Sequence, residues 1–278
     1  MDWKKARTIF IFLLLALNLF LFVTLLYTGS ASTMKAYEDR STHLLDSRGI
    51  QFIGKWPEGP GQANQILFEV VDLPVEKMIE RLMPGANLTT LENGSKEYHS
   101  GKRVLTTKVD MASGYPETVY EDITAGFQID DTDEKSQNRL FKNLFREIGL
   151  GSYSLVLDKR ETISPSQEIL HFVQSTDGGI IFDNKVIITL QEFGIKKMII
   201  SLYPTKLMPN TNIQSRDLLS AKQALVLSSI KVPMSIEEID FGWGQEEKDE
   251  LYFSPLWRYQ YNGTQTLLID AFTGKVLE

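Results

Sequence analysis

The chain contains no cysteine, and among its 278 residues there are only three histidines, His43, His99 and His171. Lack of cysteine rules out disulfides, thiolate metal sites, a thiol nucleophile and a lipid-modified cysteine anchor. In an exported chain it also suits a bacterium, whose exterior has no dedicated oxidising compartment, better than a eukaryotic secretory route. The histidines are far apart and lack metal-ligand spacing, so no zinc site is expected. Asn87-Leu-Thr, Asn93-Gly-Ser and Asn262-Gly-Thr match the glycosylation pattern, and in that setting they read as chance.

The motifs of common enzymes are missing as well. There is no Gly-x-Ser-x-Gly elbow, no Gly-x-Gly-x-x-Gly fingerprint and no phosphate loop. Two Ser-x-x-Lys matches occur, Ser32 with Lys35 and Ser228 with Lys231, but neither Ser-Asp-Asn nor Lys-Thr-Gly accompanies them. The first would also lie too close to a bilayer for any pocket to surround it. The acidic runs Asp130-Asp131-Thr-Asp133-Glu134 and Glu246-Glu247-Lys-Asp249-Glu250 lack the Asp-x-Asp-x-Asp-Gly loop of a calcium site. They read as favourable charge at a helix N-terminus and as a solvated hairpin loop. No catalytic, metal-binding or cofactor-binding residue is therefore assigned, and no enzymatic activity is expected.

What the chain does have is one long apolar run. Ile9 to Tyr27 holds nineteen uncharged residues, broken only by Asn18 and Thr24. As a helix it would be roughly 28 Å long, close to the hydrocarbon thickness of a bilayer. Apolar regions of signal peptides run about 7 to 15 residues, so an uncleaved anchor is expected despite the small residues Gly29-Ser30-Ala31. Lys4, Lys5 and Arg7 precede the run, opposed by Asp2, whereas Lys35 and Arg40 after it are offset by Glu38 and Asp39. The positive-inside rule then places the N-terminus in the cytoplasm and the rest outside, with Trp3 as an aromatic interface anchor. The first eight residues carry +3 − 1 = +2, so the remainder of a chain with formal charge −7 carries −7 − 2 = −9. Such an exterior argues against nucleic acid and against docking on anionic lipid or wall polymer.

The opening residues, MDWKKARTIFIFLLLALNLFLF, resemble the start of the YycI (WalI) family of low-GC Gram-positive bacteria. The likeness lies in Met-Asp-Trp with its following basic residues, in the Thr-Ile-Phe entry to the span, and in Leu17-Asn18 with Phe20 inside it. Length, topology and acidic exterior agree. The resemblance implies a non-enzymatic, single-pass cell-membrane protein with an extracellular C-terminal domain. With a YycH-like partner it would modulate the YycG (WalK) sensor histidine kinase of cell-wall homeostasis, chiefly through transmembrane helix contacts. It also leaves room for an ectodomain homodimer or heterodimer.

Asn18 is the polar residue of the span, and helical spacing sets Ile11, Leu14, Leu21 and Leu25 on its face. An amide in hydrocarbon seeks a partner on another helix. It can also bond its own backbone, and the sequence leaves both readings open.

The chain divides into a cytoplasmic N-terminus (1–8), a transmembrane helix (9–27), a juxtamembrane helix or stalk (28–49), an N-terminal ectodomain part (50–131) and a C-terminal part (132–278). Within the ectodomain, Gln65 to Val71 reads as a strand, and Pro74 opens a helix through Met83. Val104 to Met111 and Glu117 to Ile123 alternate as strands. Asp131 to Glu134 looks like a capping box for a helix carrying Leu140, Phe141, Leu144, Phe145 and Ile148. Strands follow at 153–157, 169–174, 180–182, 186–191 and 196–203, with Asp183-Asn184-Lys185 as a turn. Ser215 is expected to cap a second helix with Leu218, Leu225 and Val226 in the core, stopped by Pro233. Strands at 236–241, 256–261 and 264–269 come last, the final two joined by an Asn262-Gly263 type I′ turn.

A helix followed by antiparallel strands thus occurs twice, at about 133–204 and 215–271, and predicts an α+β fold with helices on one sheet face. The end, PLWRYQYNGTQTLLIDAFTGKVLE, resembles a PepSY-type module, with Trp257, Tyr259 and Tyr261 alternating onto one face. That gives the alternative reading, an extracellular module that binds or inhibits an envelope protease or wall hydrolase. An exposed aromatic face would favour it, and a helix-covered one would weaken it. Asp270, Thr273 and Gly274 read as turn chemistry.

Overall fold

The structure, a computed structural model, describes residues 3–28, 40–70, 73–91, 94–109, 115–129, 134–176, 178–207, 216–246, 251–263 and 265–277. Helix α1 (Trp3–Thr28) follows from a leucine-rich run that no proline or glycine interrupts. Its described apolar side chains, Phe10 and Phe12 among them, are exposed and belong to none of the cores below. Among the described residues no helix is long and apolar enough to cross a membrane. The side chains of α1 are described without a break only over 10–24, fewer than the roughly 20 residues that a bilayer takes.

Helix α2 (40–47) ends at Gly49, whose φ of +73° closes it before strand β1 (Ile50–Phe52). Strands β2 (Gln62–Ala63) and β3 (Ile66–Phe68) lead to helix α3 (Val75–Leu82). A meander of β4 (Asn87–Thr90), β5 (Lys96–Ser100), β6 (Arg103–Val109) and β7 (Pro116–Asp122) precedes helix α4 (Glu134–Glu147). Two long hairpins follow, β8 (Leu155–Ser164) with β9 (Gln167–Thr176) and β10 (Gly179–Gln191) with β11 (Gly194–Ser201). The short β12 (Thr205–Leu207) and β13 (Arg216–Asp217) come before helix α5 (Ala221–Leu227). Strands β14 (Met234–Gly244), β15 (Tyr252–Tyr261), β16 (Gln265–Asp270) and β17 (Val276–Leu277) complete the chain.

Fifteen of these strands join in one sheet with the order β12-β3-β15-β14-β10-β11-β7-β6-β5-β4. β9 and β8 extend it from β10, β16 and β17 from β15, and β1 adds to β14. The sheet is mostly antiparallel, as expected, but β1–β14 and β10–β14 pair in parallel. A first core sets Met78 and Leu82 of α3, Phe141, Leu144 and Phe145 of α4 and Ile148 just after it against Leu105, Tyr120, Phe172, Ile188, Met198 and Ile200. A second sets Leu45 of α2 and Ala221, Ala224 and Leu225 of α5 against Met234, Ile236, Trp257, Tyr259 and Ile269. A third is rich in aromatics: Phe68 stacks on Phe253 with centroids 4.4 Å apart and meets Tyr203 and Tyr115 at 5.4 and 5.6 Å.

Several local expectations change. Asp183-Asn184-Lys185 is not a turn but a bulge within the continuous β10, where pairing with β9 jumps from Ile181–Gln174 to Lys185–Val173. Asn184 is buried there. Its amide donates to Gln174 Oε1 and the Tyr203 carbonyl at 2.6 and 2.8 Å and accepts from the Tyr203 N–H at 2.9 Å. Those protein partners replace the water a turn asparagine would find. Helix α5 begins at Ser220, not near Ser215, because Ser220 and Gln223 complete a reciprocal capping box. The segment ahead of it is instead drawn into β13 against β2. Asn262 and Gly263 do have φ of +48° and +85°, but Tyr261 pairs with Gln265, so the loop is a residue longer than the two-residue turn. Asp131, Ser215 and the Ser32–Lys35 pair lie outside the described residues.

Candidate partner-contact site

The five residues assigned to a helix contact, Ile11, Leu14, Asn18, Leu21 and Leu25, recur at offsets of three and four along α1. At about 100° per residue they fall within a stripe about 80° wide, the heptad seam by which one helix receives another's side chains. Ile11, Leu14 and Leu21 are 50, 44 and 50 % exposed, so α1 leaves them open to a partner. The side chain of Leu25, like those of Lys4 and Lys5, lies outside the described residues, and Trp3 and Arg7 are exposed.

Asn18 Nδ2 donates to the Leu14 carbonyl at 3.0 Å, one turn back. That satisfies one N–H and leaves the second N–H and the oxygen of the amide able to bond across to another helix. Thr24 Oγ1 makes the equivalent local bond to the Phe20 carbonyl at 2.7 Å.

Beyond α1, the aromatic face of β15 is covered. Trp257 and Tyr259 are fully buried beneath α5, with Trp257 Nε1 donating to the Leu219 carbonyl at 2.8 Å and the Tyr259 hydroxyl to the Ala221 carbonyl. Burial pushes the Tyr259 hydroxyl well above its ordinary value. A dry face of this kind presents no aromatic platform to a ligand. At the chain end, Asp270 Oδ1 accepts from the N–H groups of Phe272 and Thr273 at 3.1 and 2.6 Å, and Gly274 takes φ of +76°, the turn chemistry read from the sequence.

Two charged clusters of the sheet are braces between strands. Arg258 on β15 forks onto Asp158 of β8 at 2.6 and 2.7 Å and reaches Asp240 of β14 at 2.8 and 3.1 Å. Its guanidinium lies 4.9 Å from the centre of the Phe182 ring. Residues a hundred positions apart meet there, a pairing with no signature in local sequence. Asp122 at the end of β7 accepts from Thr124 N and Oγ1, Gly126 N and Arg103 Nε. His43 is exposed, His99 stands 3.2 Å from Glu97, and His171 stands 3.4 Å from Glu161, so the three share no site. Among the described residues no group of three His, Asp or Glu side chains could hold a metal ion. Ser228 Oγ donates to the Leu225 carbonyl at 2.7 Å, a helix-end bond.

Comparison with known proteins gives one family. The family model described as YycI protein matches residues 45–272. No curated protein matches the chain. Among solved structures, the Bacillus megaterium YpeB C-terminal domain aligns over 76 % of this chain and 97 % of its own, at 12 % identity and a TM-score of 0.39. A likeness of that degree carries no argument about activity.

Proposed function

The chain belongs to the YycI family of membrane-associated accessory regulators of the YycG kinase, and from that premise we propose that it is a non-enzymatic regulatory subunit of that sensor kinase. It sits in the cell membrane by a single span, Ile9 to Tyr27, with the N-terminus in the cytoplasm and the C-terminal domain outside. Trp3, Lys4, Lys5 and Arg7 fix that orientation at the inner interface. A YycH-like protein is its accessory partner, and the ectodomain pairs with it.

The observation that carries the reading is the open heptad stripe on α1, with Asn18 at its centre and the second N–H and the oxygen of its amide left to bond across. A regulator shifts a kinase only by binding two of its conformations with different free energies, typically by about 1–3 kcal/mol. One interhelical amide bond of about 0.6–2 kcal/mol, made in one kinase state and lost in the other, reaches that range. Apolar packing of Ile11, Leu14, Leu21 and Leu25 sets the register in which Asn18 meets its partner.

The test is in-cell crosslinking and membrane pull-down of three tagged forms. These are the native chain, Asn18→Leu, and the ectodomain on an unrelated anchor. The native chain is expected to recover a sensor kinase, Asn18→Leu less of it, and the swapped anchor none. Recovery that survives the anchor swap would move the contact outside the bilayer. Recovery of a protease or wall hydrolase with no kinase would refute the regulatory reading.

A further inference from the structure

The surface beside the tether differs from the rest of the ectodomain. α2 buries Ser41, places Leu45 in the second core and leaves Leu44 at 46 % exposed. Arg48 Nη1 donates to the Val226 carbonyl at 3.0 Å, which sets it next to Leu227, itself 53 % exposed. Gly49 packs so closely on Pro233 that an added Cβ would stand 3.1 Å from the ring, and the neighbouring Val232 is 64 % exposed. Lys222 Nζ bonds Thr42 Oγ1 at 2.5 Å and stands 5.9 Å from the centre of the Trp56 ring. Leu44, Leu227 and Val232 therefore share a face with Arg48, Lys222 and Lys231, flanked by a half-buried tryptophan.

The charge of this face opposes that of the domain. Segments 40–49 and 220–234 hold Arg40, Arg48, Lys222 and Lys231 against Asp46 alone, a sum of 4 − 1 = +3. With −9 for everything after the first eight residues, the remainder carries −9 − 3 = −12. The acidic total that argued against anionic lipid is an average over unlike surfaces.

From this geometry we infer that the outer face of α2, α5 and the 228–233 loop docks on the anionic lipid surface of the membrane that holds the chain. Scattered apolar side chains among cations, with a tryptophan at the margin, is the composition that settles into a headgroup layer. Position supplies the second argument. Residue 40 follows Thr28 by twelve positions, a reach of at most about 43 Å even when fully extended. The face is thereby held near the bilayer at a high effective concentration, so adsorption too weak to recruit a free protein is sufficient here. The inference rests on the reading that α1 spans the bilayer. Docking would hold the second core against the membrane and fix the direction in which the acidic remainder points away from it.

The absence of native cysteine makes a clean test. Leu227→Cys, Val232→Cys and, as a control on the exposed edge strand β4, Leu88→Cys are made in the full-length chain and labelled with a fluorophore. Each is reconstituted in nanodiscs carrying lipid-attached nitroxide quenchers. In phosphatidylglycerol, labels at 227 and 232 are expected to be quenched several-fold more than at 88. The difference is expected to vanish in phosphatidylcholine or at high salt. Lys231→Gln should lower the docked-to-free ratio about fivefold, and adding Arg48→Gln about 25-fold in all. Equal quenching at all three sites, or the same quenching in both lipids, overturns the inference. So does burial of the 227 and 232 labels in lipid-free detergent, which would mean a protein partner or a second copy on this face. If alkaline carbonate extracts the chain, the spanning reading fails first. Firm insertion with unquenched labels overturns the docking alone.

Discussion

Replacing Arg258 by methionine tests how the two main cores of the folded domain are held together. The residue is 8 % exposed, and its four hydrogen bonds to Asp158 and Asp240 run from 2.6 to 3.1 Å. Breaking a buried ion pair by removing one partner costs about 3–5 kcal/mol, because the other charge stays buried without a counter-charge. The side chains of Asp158 and Asp240 keep 14 and 20 % exposure and so recover some water. Discounted for that, Arg258→Met is expected to cost about 2–4 kcal/mol. Asp158→Asn, which spares the Asp240 contacts, should cost about 1–2 kcal/mol. Asp158 lies on β8 and Arg258 on β15, so the pair also couples distant parts of the sheet. A double-mutant cycle of Arg258→Met with Asp158→Leu should return a coupling of about 1.5–3 kcal/mol.

Urea unfolding of residues 40–278 is a suitable assay, since the cores draw on residues 45 to 271 and α1 supplies none of them. Trp56, Trp243 and Trp257 report on the second and third cores, while the first contains no tryptophan. Far-UV circular dichroism reports the whole sheet. The two transitions should coincide in the native chain and separate in Arg258→Met. A loss below about 1 kcal/mol, or a cycle that closes additively, would refute the bracing argument.

Three further outcomes follow from single positions. Gly194→Ala would put a Cβ 2.0 Å from the Ala125 carbonyl oxygen, so a loss of at least about 2 kcal/mol is expected, whereas Phe193→Gly, at φ of +65°, should gain about 0.5–1 kcal/mol. Thermal unfolding of the two variants checks both signs. At Asp122, burial raises the carboxyl, but hydrogen bonds from Thr124 and Gly126 and the charge of Arg103 outweigh it and hold it below the usual range. Its contribution is therefore present above the ordinary carboxylate value and lost as pH falls through the folded one. Asp122→Asn should destabilise at pH 7 and flatten the acid limb of a stability–pH curve, and an unchanged limb would count against this. At Asp183, burial raises the carboxyl in spite of the Gln245 N–H and Lys185, so its contribution is present at low pH and lost as pH rises. Asp183→Asn should accordingly raise stability at pH 7 and leave it unchanged at low pH, as denaturant midpoints across that range would reveal.

Much of the fold was legible where local pattern and tertiary demand agree. The apolar spacing of α4 placed Phe141, Leu144, Phe145 and Ile148, all of them buried, and alternation placed Trp257 and Tyr259 in a helix-covered core. Asn262-Gly263 marked its hairpin because both residues accept positive φ. Elsewhere distant partners overrode local preference. Asp183-Asn184 favours a turn in isolation, yet Tyr203 and Gln174 satisfy Asn184 inside a strand. Ser215 is the expected cap of α5, but Gln223 completes a reciprocal capping box with Ser220 instead. The parallel pairings of β14 and the Arg258 brace join segments far apart in sequence, which periodicity cannot relate. For the contact stripe on α1, the sequence named the residues and their spacing; the local bond from Asn18 to Leu14 came from the structure.

The pairing of β1 with β14 bears on how the chain is made. Ile50 lies opposite Met234, and Leu45 packs in the core that α5 completes. The first strand after α1 to leave the ribosome must therefore wait for 234 − 50 = 184 further residues. At about 5–20 residues per second that is about 10–40 seconds. Meanwhile the hairpins from β8 to β11 pair with neighbours made moments earlier and can fold on arrival. The early segment spends that interval with Leu45, Ile50, Ile66 and Phe68 uncovered. Biosynthesis thus proceeds from the middle outwards. A chain released before residue 234 would hold a folded centre and an open apolar flank, a ready substrate for proteases.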